Sequence, residues 1–132
     1  MSRARVLIAD DHAFVLEGLV NLLKDRFEVV AAVTDGHLLV DAATRLRPDV
    51  IVTDISMPGL NGIEAFERLK AAGSEARVIV LTLHADVDLA ASLVQSGVRG
   101  YVAKMQAVSE LVPAIEQVLA GQVYLTPTLT NY

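Results

Sequence analysis

At 132 residues the chain is long enough for one compact domain that buries most of its apolar surface without disulfides or a structural metal. Hydrophobic residues make up 53% of it, but in short runs far below the ~20 apolar residues of a membrane span, and the lack of cysteine excludes a disulfide framework or a thiolate zinc site. A formal net charge of −5 offers no basic stripe for gripping nucleic acid, and no leader-like apolar segment follows a basic start, so a cytoplasmic location with no membrane contact is expected.

The first β-branched run, Val6 to Ala9, reads as a buried strand and ends on Asp10, Asp11 and His12. Val15, Leu16, Leu19, Leu22 and Leu23 then fall on one helical face. A second strand is expected over Val29 to Val33 and a third over Val50 to Thr53, which runs into Asp54. Asn61 with Glu64 has the spacing of a capping box, and Gly73, Gly97 and Gly121 follow periodic segments where a left-handed helix cap is wanted. The fourth and fifth strands are predicted at Val78 to Leu81 and Tyr101 to Ala103, followed by a helix with Leu111, Ile115, Val118 and Leu119 on its buried stripe. Near-continuous apolar strands alternating with helices predict an α/β fold, (βα)5, with a mainly parallel sheet covered on both faces and right-handed crossovers. Residues 1–121 are expected as one domain and 122–132 as a tail or the start of an interdomain linker.

The residues just past the strands carry the chemistry: Asp10 and Asp11 after the first, Asp54 after the third, Thr82 after the fourth and Lys104 after the fifth. The carboxyl ends of parallel strands share one edge, and ligands bind there where the strand order reverses. The flavodoxin-like doubly wound order 2-1-3-4-5, which belongs to that fold class and is not dictated by these residues, would make them converge. Three carboxylates brought together repel one another, and one lysine does not neutralise them. Oxygen donors with room for water and phosphate suit Mg²⁺ or Mn²⁺. Asp54 can then act as nucleophile, with the Lys104 ammonium and Thr82 hydroxyl binding phosphoryl oxygens. Each residue alone has a plainer role: Asp10 or Asp11 as a helix N-cap, Asp54 as a loop carboxylate, Thr82 as a strand terminus, Lys104 as a solvated lysine. Their joint placement favours the functional reading. His12, His37 and His84 show no ligand spacing and are set aside as metal ligands, with His84 reserved as a neighbour of Thr82 that tunes access.

These residues resemble the response-regulator receiver family over essentially the whole chain. Asp54-Ile55-Ser56-Met57-Pro58-Gly59-Leu60-Asn61-Gly62 is similar to its phosphorylation loop, Ala9-Asp10-Asp11-His12 to its acidic pair, and Leu81-Thr82 and Gly100-Tyr101-Val102-Ala103-Lys104 to its switch-side strands. The resemblance implies Asp54 as phosphate acceptor, Asp11 as direct metal ligand, Asp10 as a metal-site residue acting through water, and the Ser56 carbonyl as a further ligand. It also implies a two-state switch in which Thr82 moves toward the phosphoryl group and Tyr101 changes rotamer. Within the family, Thr82-Leu83-His84 and Ala120-Gly121-Gln122-Val123-Tyr124-Leu125-Thr126-Pro127 look most like receivers that precede a LuxR-type helix-turn-helix output domain. The chain stops about where an interdomain linker would start, which favours a fragment over a single-domain regulator.

The implied function is to accept a phosphoryl group from a sensor histidine kinase, hydrolyse it slowly, and control an output, with homodimerisation on phosphorylation as an accompanying expectation. This is a phosphoacceptor switch and not a turnover enzyme. A flavin or nucleotide carrier would need a glycine-rich phosphate loop after the first strand, and a haloacid-dehalogenase-type hydrolase an Asp-x-Asp there; Asp10-Asp11-His12 is neither. A degenerate receiver that works without phosphorylation is kept open by Leu83, bulkier than the small residue common there and expected to narrow the route to Asp54. Met105 stands where the family commonly has proline, so a trans Lys104–Met105 bond is expected. Pro113 lies inside the expected fifth helix and predicts a delayed or kinked start, with an altered dimer contact.

Overall fold

The computed structural model describes residues 3–84 and 86–127. Five strands alternate with five helices: β1 (Arg5–Ala9), α1 (Ala13–Leu23), β2 (Glu28–Val33), α2 (Gly36–Leu46), β3 (Val50–Asp54), α3 (Gly62–Ala71), β4 (Arg77–Thr82), α4 (Val87–Ser96), β5 (Gly100–Ala103) and α5 (Ala107–Leu119). They form a parallel sheet in the expected order 2-1-3-4-5. A short sixth strand, β6 (Tyr124–Leu125), adds to the outer side of β5.

The apolar strands are buried because both faces are covered, and the period-2 alternation sorts their side chains. Val6, Ile8, Val50, Val52, Ile79, Leu81 and Val102 pack with Leu16, Leu19 and Leu23 of α1 and Leu111, Ile115 and Val118 of α5. Their neighbours in sequence, Leu7, Ala9, Ile51, Val78, Val80 and Tyr101, pack on the opposite side with Leu39, Ala65, Phe66 and Leu93 from α2, α3 and α4.

The stop and start signals act as expected. Gly73, Gly97 and Gly121 all have positive φ, and Gly97 at +113° is the left-handed cap of α4. Asn61 and Glu64 form the reciprocal capping box that opens α3. Arg47 caps α2 in the left-handed region at φ 48°, a conformation that favours glycine and has no signal in the sequence.

Two expectations need correction. Pro113 does not delay α5, which begins six residues earlier at Ala107 and continues through it. The ring sits on the exposed side of the helix, where water can serve the Ser109 carbonyl that loses its amide partner. The segment expected to depart after Gly121 instead turns back onto the sheet: Tyr124 N–H donates to the Arg99 carbonyl at 2.9 Å and Thr126 N–H to the Tyr101 carbonyl at 2.8 Å. Thr126 is fully buried. Residues 128–132 of that predicted tail lie outside the described residues. No cis peptide bond occurs among the described residues, so Lys104–Met105 is trans as expected.

Candidate functional site

Strand parity decides which side chains meet at the carboxyl edge. Asp10 lies two residues beyond Ile8, Asp54 two beyond Val52 and Lys104 two beyond Val102, so all three continue the face turned to α1 and α5. The Lys104 ammonium stands 2.8 Å from Asp10 Oδ2 and 3.0 Å from Asp54 Oδ2. Gly62, at the start of α3, lets the loop after Asp54 fold close, since a Cβ there would come within 2.2 Å of the Asp54 carbonyl oxygen.

Asp10 is fully buried; its Oδ1 accepts the His12 backbone N–H at 2.9 Å, while Oδ2 takes part in no hydrogen bond. The short contact of Oδ2 with Lys104 is therefore ionic and poorly aligned for directional bonding. Burial of Lys104 opposes its charge, but the hydrogen bond to Asp54 and the Coulomb attraction of Asp10 and Asp54 outweigh this and hold its pKa above the ordinary 10.5. Asp54 Oδ1 accepts the Ser56 N–H at 3.3 Å, and Asp11, with its side chain 29% exposed, completes an acidic cluster open to solvent on one side. Lys104 alone cannot neutralise three carboxylates, so the donor set and its surplus negative charge fit a hard divalent cation.

The structure thus brings together Asp10, Asp11, Asp54 and Lys104, with Ser56 exposed on the loop beside Asp54 and an open hollow lined by Asp11, Ser56 and Asn61. Thr82 is not drawn in. Parity puts it on the α4 side, where its hydroxyl donates to the His84 carbonyl at 3.1 Å and accepts the His84 N–H at 3.3 Å. Tyr101, on that same side, is fully buried; its hydroxyl donates to the His84 carbonyl and accepts the Asp86 N–H, both at 3.3 Å. His84 therefore joins the two expected switch residues through its backbone. Leu83 is 66% exposed.

His12 belongs to the cluster, contrary to the expectation from ligand spacing. Its ring nitrogen lies 3.0 Å from Asp11 Oδ1 and 3.6 Å from Asp10 Oδ1, and it joins the three aspartates in a group whose donor atoms all fall within 4.8 Å of one another. The available signal is its position directly after the acidic pair, which spacing rules for separated ligands do not register. A cavity of about 600 Å³ at the opposite, amino-terminal edge mixes Arg47 and Arg77 with Asp49 and Glu75 and focuses no single charge.

Among the described residues no helix is long and apolar enough to cross a membrane. The model of the response regulator receiver domain matches residues 6–116. Response regulator GacA of Pseudomonas aeruginosa is 35% identical over 129 residues, covering 96% of this chain and 60% of GacA, and UvrY of Escherichia coli is 35% identical over 128 residues. The chain thus spans about 60% of the length of these curated relatives. A LuxR-family two-component response regulator from an Aurantimonas species superposes with a TM-score of 0.92 at 33% identity, covering 98% of this chain and 94% of that one. The isolated receiver domain of RcsB from Salmonella enterica serovar Typhimurium, solved with phosphomimetic BeF3⁻, gives 0.88 at 27% identity and covers 98% of each chain. Sheet order, the acidic carboxyl edge and these likenesses agree: the chain belongs to the response regulator receiver domain family of two-component signalling.

Proposed function

We propose that the chain accepts a phosphoryl group from a sensor histidine kinase on Asp54, in a reaction that depends on Mg²⁺ or Mn²⁺. The observation that carries this is the imbalance at the carboxyl edge, three clustered carboxylates around the single ammonium of Lys104. Asp11, Asp54 and the Ser56 carbonyl would hold the cation, with Asp10 acting through water, and it would supply neutralisation of charge on the transferring group. An Asp54 oxygen attacks phosphorus in line as the bond to the donor breaks, forming an acyl phosphate. Lys104 passes from Asp54 to a phosphoryl oxygen. Thr82 leaves the His84 carbonyl for another phosphoryl oxygen, and the loop carrying His84 and the Tyr101 hydroxyl shifts with it.

Exposed apolar side chains surround this edge: Phe14 (88%), Met105 (85%) and Val108 (82%), each within four residues of Asp11 or Lys104. Such a rim supports docking of a partner helix from the kinase. Slow hydrolysis of the acyl phosphate returns the domain to its resting state, so it is a switch and not a turnover enzyme. The receiver unit comprises residues 1–121 closed by β6, and the chain beyond leads toward an output region, a DNA-binding one by analogy with the LuxR-family relatives, with homodimerisation on phosphorylation. The acidic surface argues against direct nucleic-acid binding by this segment, and the setting is cytoplasmic.

Intact mass after incubation with acetyl phosphate and Mg²⁺ tests the proposal. One phosphoryl group should add to the wild type, and none to Asp54→Ala or without metal. Labelling that persists in Asp54→Ala would assign the acceptor elsewhere, and no labelling even by a cognate kinase would make this a phosphorylation-independent interaction domain.

A further inference from the structure

We infer that His12 is a direct donor to the divalent ion, through its imidazole nitrogen, and biases the site toward Mn²⁺ over Mg²⁺; this rests on the reading of the acidic cluster as a cation site. His12 is the N-cap residue of α1, with extended backbone at φ −97° and ψ 108°, yet its side chain makes no capping bond. The ring is turned back onto the carboxylates instead, with Nδ1 3.0 Å from Asp11 Oδ1. That approach lies off the ring N–H axis and makes no hydrogen bond, so nitrogen and oxygen stand side by side as two donors to a common centre do.

Adjacent donors on one octahedral ion with bonds of ~2.1 Å stand roughly 3 Å apart and opposite ones roughly 4.2 Å. The 3.0 Å pair matches the first spacing, and the donor atoms of the four residues all lie within 4.8 Å of one another, close enough for Asp10 to join through a water. His12 can turn to meet the ion, since its side chain is 69% exposed. Its backbone is anchored by the bond from its N–H to the fully buried Asp10, whose Oδ2 is outside any hydrogen bond within the same group. Magnesium favours oxygen donors and surrenders water reluctantly, whereas Mn²⁺, although also oxygen-preferring, accepts a nitrogen donor more readily than Mg²⁺, so a nitrogen in the shell shifts the balance toward Mn²⁺.

The test is separate calorimetric titration of Mg²⁺ and Mn²⁺ into the full chain, the His12→Ala variant and His12→Asn, which restores a capping side chain, together with electron spin-echo modulation of bound Mn²⁺. Directly coordinated nitrogen should appear in the wild type and vanish in both variants. The Mn²⁺-to-Mg²⁺ affinity ratio should fall by about tenfold, with Mg²⁺ affinity itself changing far less. Equal loss of both ions would show that His12 only positions Asp11, and absence of nitrogen coupling would remove the donor role; either overturns the inference while Mg²⁺-dependent labelling of Asp54 still stands. Failure of both ions to bind the wild type would overturn the cation-site reading as well.

Discussion

Two places in this domain gather carboxylates beside the sheet, and they are built on opposite accounts of charge. At the carboxyl edge, Asp10, Asp11 and Asp54 share one lysine, and a fully buried oxygen of Asp10 has no hydrogen bond. Beside β6, Glu110 of α5 has its Oε1 matched by two hydroxyls, Thr126 at 2.7 Å and Tyr124 at 3.1 Å. A matched carboxylate ties elements together, here α5 to the last strand. A surplus of carboxylates suits a divalent cation, as the proposed phosphoryl transfer requires.

The comparison breaks most visibly at Lys104. In metal-free buffer, Lys104→Met leaves Asp10 and Asp54 facing each other and should cost about 2–3 kcal/mol in urea unfolding, somewhat below a fully buried pair because the site opens to water. Full stability in that variant would mean the ion pairs contribute nothing. At the matched site, Glu110→Ala strands the buried Thr126 hydroxyl and should cost about 1–2 kcal/mol, while Glu110→Gln, which keeps an acceptor oxygen, should cost less than half of that. Equal losses would show that the charge, and not the acceptor, holds β6.

The opposite sign is expected for Asp11→Asn. Removing one of three like charges should raise metal-free stability by up to about 1 kcal/mol while abolishing the further stabilisation that added Mg²⁺ gives the wild type. Both changes can be read from one set of thermal melts. The last effect is in pH. Burial and then the Glu110 contact raise the Tyr124 pKa from 10.0 to about 12, so the folded state holds this proton more tightly than the unfolded chain. Its contribution is complete below pH 10 and lost as pH rises to about 12, and Tyr124→Phe should flatten that part of the stability curve. Lys104, also raised, titrates in the same direction above 10.5, so the difference between wild type and variant is the quantity to measure.

By itself the sequence determined the strands, the helix stops and the edge where chemistry gathers, because these depend on local pattern. Val6 to Ala9 or Val50 to Thr53 can be buried only as strands covered on both faces, and the residue after each must then fall on one common edge. Glycine after a periodic helix and the Asn61–Glu64 pair are equally local signals. Tertiary structure alone decided what depends on distant partners. Tyr124 and Thr126 read as a departing tail until Glu110, in another element, supplied an acceptor for their hydroxyls and β5 an open edge for their amides. Pro113 looked like a delay until α5 turned it outward to water. Thr82 and Lys104 were legible as neighbours of the site, but only the alternation of the folded strands sends Lys104 to Asp54 and Thr82 to His84. His12 became a candidate ligand because a ring with a free path to solvent is turned back on Asp11, a choice of rotamer that no spacing in a sequence encodes.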